Sequence, residues 1–236
     1  MIYLGIDGSI SRVRLEGLRV APVLYSIFRQ LPLSYFDTFT HIALDSGAYP
    51  AWKEGKTVDF SYYKDMALRW HYQQPWEWIA SDMAVDEPFD QMLDNCNKLR
   101  SMGLPAVPAY KQGSPLWQLE FLRDNFDHIG IGSTDSDTGG EHTRRWLDEV
   151  FDYVCDSEGY STVKVHGFRL VSYYSDFPFY SCDSTTWAQR TLPDLRKRIP
   201  WAKESELMPH VISYYTRKEP CARLAKADQM QFALAS

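Results

Sequence analysis

Three aspartates in this chain each follow a short apolar run: Asp45 after Ile42-Ala43-Leu44, Asp82 after Ile79-Ala80-Ser81, and Asp183 after Phe179-Tyr180-Ser181-Cys182. A lone aspartate after a strand most simply caps the next helix, accepting a hydrogen bond from one of its free backbone N–H groups. Three brought to one mouth are harder to explain as caps alone. Carboxylates gathered in a pocket push each other's protonation equilibria apart, so one can serve as nucleophile while another acts as acid or base. Gln112-Gly113, Gly132 and His166-Gly167 occupy equivalent positions after other apolar runs and would supply neutral partners to such a site. The remaining histidines (His41, His71, His128, His142 and His210) lack metal-ligand spacing and read as structural or exposed.

The elements that must position these residues recur with a steady rhythm. Short apolar runs at Ile2–Ile6, Val23–Phe28, His41–Leu44, Trp76–Ala80, Pro105–Tyr110, His128–Ile131, Val163–Phe168 and Phe179–Cys182 read as strands. Amphipathic stretches over 59–72, from Pro88 to Met102, from Pro115 onward, over 141–156 and over about 186–198 read as helices; in the first, Phe60, Tyr63, Met66, Ala67 and Trp70 recur at near-helical spacing. Alternating strands and helices imply a parallel sheet covered by helices. Seven or eight such units predict an α/β fold of the (β/α)8, TIM-like barrel type, for which ~250 residues is typical. An open doubly wound sheet is the runner-up, but no Gly-rich phosphate loop of the expected form follows the first strand. Asp7–Val20, polar and irregular, reads as a loop or a small hairpin. With no linker or low-complexity tract, residues 1–236 are expected to form one domain.

In order along the chain, Leu44-Asp45-Ser46-Gly47-Ala48-Tyr49, Ser81-Asp82, Lys111-Gln112-Gly113, Gly130-Ile131-Gly132-Ser133 and Cys182-Asp183-Ser184 resemble five motifs of the tRNA-guanine transglycosylases. Closer still are the short phage and bacterial transglycosylase-like proteins that insert 7-deazaguanine bases into DNA. There His-Gly-Phe is followed by Ser-x-Asp-Ser-x-x-Trp, here His166-Gly167-Phe168 and Ser181 to Trp187. The resemblance implies base exchange at a glycosidic bond, with Asp183 attacking C1′ to give a covalent glycosyl-enzyme, in the manner of a retaining glycosidase. It implies that Asp45 protonates departing guanine and later deprotonates the incoming 7-deazaguanine. Asp82 would accept from N1–H and the 2-amino group, while Gln112, Gly113 and the Gly132 N–H would address O6. Ser46, Gly47, Tyr49 and His166 would complete the base site, with Tyr49 or Tyr110 stacking on the ring. A flipped or single-stranded target base is expected. The family's zinc cluster is missing, since Cys221 is the one cysteine of its region, so neither metal nor other cofactor is expected. The short chain also lacks room for the subdomain that helps hold tRNA, which moves the expected polymer from tRNA towards DNA.

Composition bounds the rest. Net charge is −6, which argues against nonspecific coating of nucleic acid by the whole surface. Residues 190–226, however, hold nine Lys/Arg against four acids, leaving 16 basic and 27 acidic residues elsewhere. Arg190, Arg196, Lys197 and Arg198 are the candidate phosphate contacts; a solvated helical surface explains the charge equally simply. Aromatic content is 15%, with 8 Trp and 15 Tyr, which suits either a ligand-stacking pocket or a core of large side chains. No apolar run approaches the ~20 residues of a membrane span. Scattered cysteines (Cys96, Cys155, Cys182 and Cys221) and an N-terminus without a basic-then-apolar leader lead to an expected cytoplasmic location, the host cytoplasm for a phage-encoded chain. The main competing activity is a (β/α)8 glycoside hydrolase, which acidic charge and Trp content would suit, although strand-end Glu is typical of that class. A base-binding protein on a retired barrel is a third reading, against which the presence of both Asp45 and Asp183 argues.

Overall fold

Nine short strands form from the apolar runs in the computed structural model, which describes residues 1–6, 10–28, 39–132 and 140–218. Asp7-Gly8-Ser9, Ser133, Cys221, Arg223 and Lys226 lie outside the described residues. The elements are β1 (Ile2–Ile6), α1 (Arg12–Gly17), β2 (Val23–Ser26), β3 (Ile42–Asp45), α2 (Ala48–Lys53), α3 (Phe60–His71), β4 (Ile79–Ala80), α4 (Phe89–Ser101) and β5 (Ala106–Val107). They continue as β6 (Ala109–Lys111), α5 (Leu116–Asn125), β7 (His128–Gly132), α6 (Glu141–Val154), β8 (Lys164–Phe168), β9 (Ser181–Ser184), α7 (Leu192–Arg198) and α8 (Glu204–Thr216). A 3-10 turn at Val171–Tyr173 precedes β9, and a π-helical turn at Trp187–Thr191 leads into α7. The strand order is β5-β4-β3-β2-β1-β9-β8-β7-β6. Its two terminal members, β5 and β6, are separated in the chain by Pro108 alone.

The chain divides into two compact units. One comprises Tyr3–Pro108 and Ser184–Tyr215; the other comprises Met1–Ile2, Ala109–Asp183 and the chain from Thr216 on. In the first, β1, β2, β3, β4 and β5 pair in parallel, with Leu4 opposite Val23, Ser26 opposite Asp45 and Leu44 opposite Ile79. Its core is aromatic: Tyr3 meets Trp78 edge-on at 5.7 Å, Trp70 packs against Tyr25 and Trp76, and all five are buried. In the second, β6, β7 and β8 pair in parallel, and β8 pairs with β9. There α6 buries Thr143, Trp146, Leu147, Val150, Phe151 and Val154, the i, i+3, i+4, i+7 stripe of an amphipathic helix. Phe151 continues the packing onto Phe177 and Phe179. Much of the aromatic content therefore fills cores.

Several boundaries differ from expectation for identifiable reasons. The described part of the Asp7–Val20 stretch, residues 10–20, forms a helix where a loop or small hairpin is expected: Ser11 caps α1, accepting from the Arg14 N–H, and Leu15 is the residue this six-residue helix buries. Too short to show periodicity, α1 is tied instead by an Arg14 ion pair to Glu204 of α8. The run Pro105–Tyr110 splits because Pro108 has no N–H to donate to a ladder. Only Ile79–Ala80 of the Trp76–Ala80 run makes a strand, while Trp76 and Trp78 contribute buried rings. The last strand begins two residues later than its apolar run, so Asp183 stands inside β9 rather than after it.

Candidate active site

At the C-terminal end of β3, Asp45 accepts the Gly47 N–H at 3.2 Å and the buried Ser46 Oγ accepts the Ala48 N–H at 3.2 Å. This pair of side-chain turns reverses the chain into α2. Gly47 sits at φ +77, and a Cβ there would lie 2.5 Å from Phe28 Cβ and 2.8 Å from Ser26 Oγ, so a side chain is excluded both by backbone conformation and by space. Tyr49 and Trp52 follow on α2, tilted with ring centroids 6.0 Å apart, and the Lys53 ammonium lies 4.7 Å from the Tyr49 ring centre. One face of Tyr49 is thus occupied by a cation.

The neighbouring strand β4 leads to Ser81, whose Oγ donates to the Val107 carbonyl at 3.0 Å, and then to the half-buried Asp82. Past it, Glu87 holds the turn by accepting from the Met83 N–H and the Asn95 amide, each at 2.8 Å. Against the end of β4 lies Tyr63 of α3, fully buried, donating its hydroxyl to the Ala80 carbonyl at 2.7 Å. Burial pushes the Tyr63 phenol well above its ordinary pKa, and the nearby charges of Asp45 and Asp82 push it further, so both carboxylates act on one buried hydroxyl. Motif reading did not single out Tyr63 for this role, because its apolar helical spacing marks it as core.

In the second unit, β8 and β9 pair with His166 opposite Ser181 and Gly167 opposite Cys182. Side chains two apart on a strand share a face, which sets His166, Phe168, Ser181 and Asp183 together. Asp183 is 3% exposed, and its Oδ1 accepts the Arg169 N–H at 2.8 Å. Arg169 takes the left-handed conformation, φ +60, which is uncommon for a residue with a side chain. His166 is wholly buried; its Nδ1 lies 2.8 Å from Ser181 Oγ and its Nε2 lies 3.5 Å from Asp183 Oδ1. Burial lowers the His166 pKa against the opposing pull of Asp183, so the ring is neutral. Gly130 and Gly132 of β7 lie beneath Phe168: a Cβ on Gly130 would be 2.4 Å from the Phe168 ring, so this Gly-Ile-Gly makes room for an aromatic side chain. The Gly132 carbonyl accepts the Gln112 N–H at 2.9 Å, and Gly113 takes φ +85 in an open turn beyond β6. Tyr110 is buried and stacked on Trp146 at 6.3 Å, donating its hydroxyl to Ser114 O, so it packs within the unit.

No family model matches the chain, and no curated protein matches its sequence. Among solved structures it is similar to a chain of the tryptophan synthase α2β2 complex from the hyperthermophile Pyrococcus furiosus, at 12% identity over 90% of this chain and 95% of that one, with a TM-score of 0.57. It is likewise similar to a mutant tryptophan synthase alpha-subunit from Pyrococcus furiosus, at 11% identity over 90% and 95% of the two chains, with a TM-score of 0.57. At such identities the likeness speaks for the fold alone. The fold is a (β/α)8 barrel of the α/β class.

In a (β/α)8 barrel the loops after the strands carry the working residues. Asp45 closes β3, Asp82 lies two residues past β4, Gln112 directly follows β6, Gly132 closes β7 and Asp183 is the penultimate residue of β9. Within one unit, the charges of Asp45 and Asp82 both raise the pKa of the buried Tyr63; within the other, His166, Ser181 and Asp183 share a strand face. Of the basic candidates, Arg196 pairs with Glu204 at 2.8 Å and Lys197 with Asp194 at 3.2 Å, while Arg190 and Arg198 are exposed. Among the described residues no cluster of three or more His, Cys, Asp and Glu could hold a metal ion, and no helix is long and apolar enough to cross a membrane.

Proposed function

We propose that this protein is an enzyme, a base-exchange transglycosylase that replaces guanine in a polynucleotide, DNA before tRNA, by a 7-deazaguanine. The observation that carries the reading is positional: the residues of the five transglycosylase-like motifs fall, in order, at or near the C-terminal ends of the parallel strands β3, β4, β6, β7 and β9. Asp183 is the nucleophile. A carboxylate oriented by a backbone N–H on Oδ1, on a rigid strand, is suited to attack at carbon. Asp45, half-buried at the end of β3, is the proton donor to the leaving base and the acceptor from the incoming one. Asp82 recognises the N1–H and 2-amino edge that guanine presents and adenine does not.

The test is incorporation. Purified protein is incubated with guanine-containing duplex and single-stranded DNA, with tRNA, and with adenine-only DNA, each with an isotope-labelled 7-deazaguanine, and the nucleosides are resolved by mass. Label in guanine-containing DNA alone is expected. Label in none of the polymers, with release of sugar from oligosaccharides instead, overturns the reading in favour of a glycoside hydrolase.

A further inference from the structure

We propose that His166 is a positioning residue for Asp183: its Nε2–H and the Arg169 backbone N–H converge on Oδ1, which leaves Oδ2 as the oxygen that attacks carbon. The identity of that carbon rests on the transglycosylase reading; the arrangement itself does not. Among the described residues no hydrogen bond reaches Asp183 Oδ2, whereas Oδ1 accepts the Arg169 N–H at 2.8 Å and has His166 Nε2 3.5 Å away, a contact longer than a hydrogen bond.

Which ring nitrogen carries the proton follows from the partners. A neutral imidazole has one donor and one acceptor, and an ionised carboxylate can only accept. The nitrogen facing Asp183 is therefore the donor, and Nδ1 accepts the Ser181 hydroxyl at 2.8 Å. The resulting chain, Ser181 O–H to His166 to Asp183, runs through groups that are wholly or almost wholly buried. Register explains why it forms: His166 is opposite Ser181, and Asp183 is two residues further along β9 on the same face. Phe168, edge-on to the imidazole at 4.8 Å, limits the ring's rotation. A neutral ring orients the carboxylate without cancelling its charge; an imidazolium ion-paired to Asp183 would make it a poorer nucleophile. The 3.5 Å separation of Nε2 from Oδ1 exceeds the usual ~2.9 Å, and such contacts commonly tighten as the reacting complex forms.

In the step served, Oδ2 forms a bond to C1′ as the C1′–N9 bond breaks. The electron pair of that bond leaves on N9 of guanine, which takes a proton from the general acid, Asp45 in the reading above. Attack of the incoming 7-deazaguanine nitrogen on C1′ then returns the Oδ2–C1′ pair to the carboxylate, and the proton that nitrogen loses goes back to the general base. Nothing is oxidised or reduced, and His166 keeps its proton throughout.

Three variants of the full chain and one spectroscopic measurement test this. In wild-type protein labelled with ¹⁵N-histidine, with the His166 signals assigned by their loss in His166→Gln, long-range ¹H–¹⁵N correlations are expected to show the neutral Nε2–H tautomer. His166→Leu is expected to lower kcat about 100-fold with KM changed less than about twofold, whereas His166→Gln, which restores an N–H donor, should recover to within about tenfold of wild type. Ser181→Ala, removing the donor to Nδ1, is expected to move part of the His166 population to the other tautomer. An Nδ1–H tautomer in the wild type, an unchanged kcat in His166→Leu, or a change confined to KM overturns the proposal. Should His166→Leu not fold, the wild-type tautomer and Ser181→Ala decide. Absence of base exchange by the wild type would defeat the transglycosylase reading while leaving the tautomer test intact.

Discussion

Asp45, Gly47 and Tyr63 illustrate how single residues in this protein are held to one identity by unrelated forces. At Gly47 the constraint is steric. The left-handed φ costs a side-chain-bearing residue about 1–2 kcal/mol, and the Cβ would also press on Phe28 and Ser26. Gly47→Ala is therefore expected to lower unfolding free energy by at least roughly 2 kcal/mol, measured by urea denaturation, and to displace Asp45 from its turn. At Tyr63 the constraint is a buried hydrogen bond. Tyr63→Phe leaves the Ala80 carbonyl without this donor and is expected to destabilise the fold by about 1–2 kcal/mol. Asp183→Ala is expected to abolish both base release and exchange while leaving the fold intact, with a lower denaturation midpoint because the Arg169 N–H loses its acceptor; residual exchange of labelled base would remove Asp183 from the role of nucleophile.

At the scale of elements, most helices were legible because their buried stripes exceed two turns. Both α3 and α6 show this, and α3 also begins where Asp59 caps it, accepting the Tyr62 N–H at 2.7 Å. Asp59→Ala is expected to cost about 1 kcal/mol, read as a lower urea midpoint, with no effect on any activity. Three helices were not among those expected, α8 (Glu204–Thr216) and the two six-residue helices α1 and α2: in the short pair one turn and a half cannot display a period, and their starts depend on a serine cap and on a left-handed glycine. Strand ends were legible to within about two residues, since a ladder is defined by its partner strand and not by the run of apolar residues that feeds it. β7 shows a further dependence between elements. Its glycines are answered by Phe168 of β8, so Gly130→Ala should force that ring aside and disturb the face shared by His166 and Asp183. A fall in thermal midpoint of several degrees is expected, partly relieved by pairing the change with Phe168→Leu.

For the molecule as a whole, charge determines how stability and binding respond to solvent. Burial, with help from the Lys164 charge, lowers the His128 pKa from 6.5 to about 3, and burial lowers His166 as well. The sign follows from proton uptake. Between those values the unfolded chain is protonated at His128 and the folded chain is not, so the stability this ring contributes is greatest above about pH 6.5 and is lost as pH falls towards 3. Urea midpoints of the wild type should fall across that window, and His128→Phe, which keeps a ring against Tyr180, should flatten the fall. For nucleic acid, Arg196 and Lys197 are already engaged in exposed ion pairs that salt weakens, while Arg190 and Arg198 are exposed. If residues 190–198 contact phosphate, affinity for DNA falls steeply with salt and the slope lessens by about one per cation removed. A flat salt response returns the segment to plain solvated surface.

By itself the sequence determined the (β/α)8 class and the placement of Asp45, Asp82, Gln112 and Gly132 at or just past a strand's end, because strand and helix periods are local properties of the chain and their alternation admits few architectures. It could not show the Arg169 N–H on Asp183, the proton chain from Ser181 through His166, or the effect of the Asp45 and Asp82 charges on the buried Tyr63. Those depend on inter-strand register and on the packing of one helix residue against a strand, quantities set only when segments distant along the chain exclude water from one another.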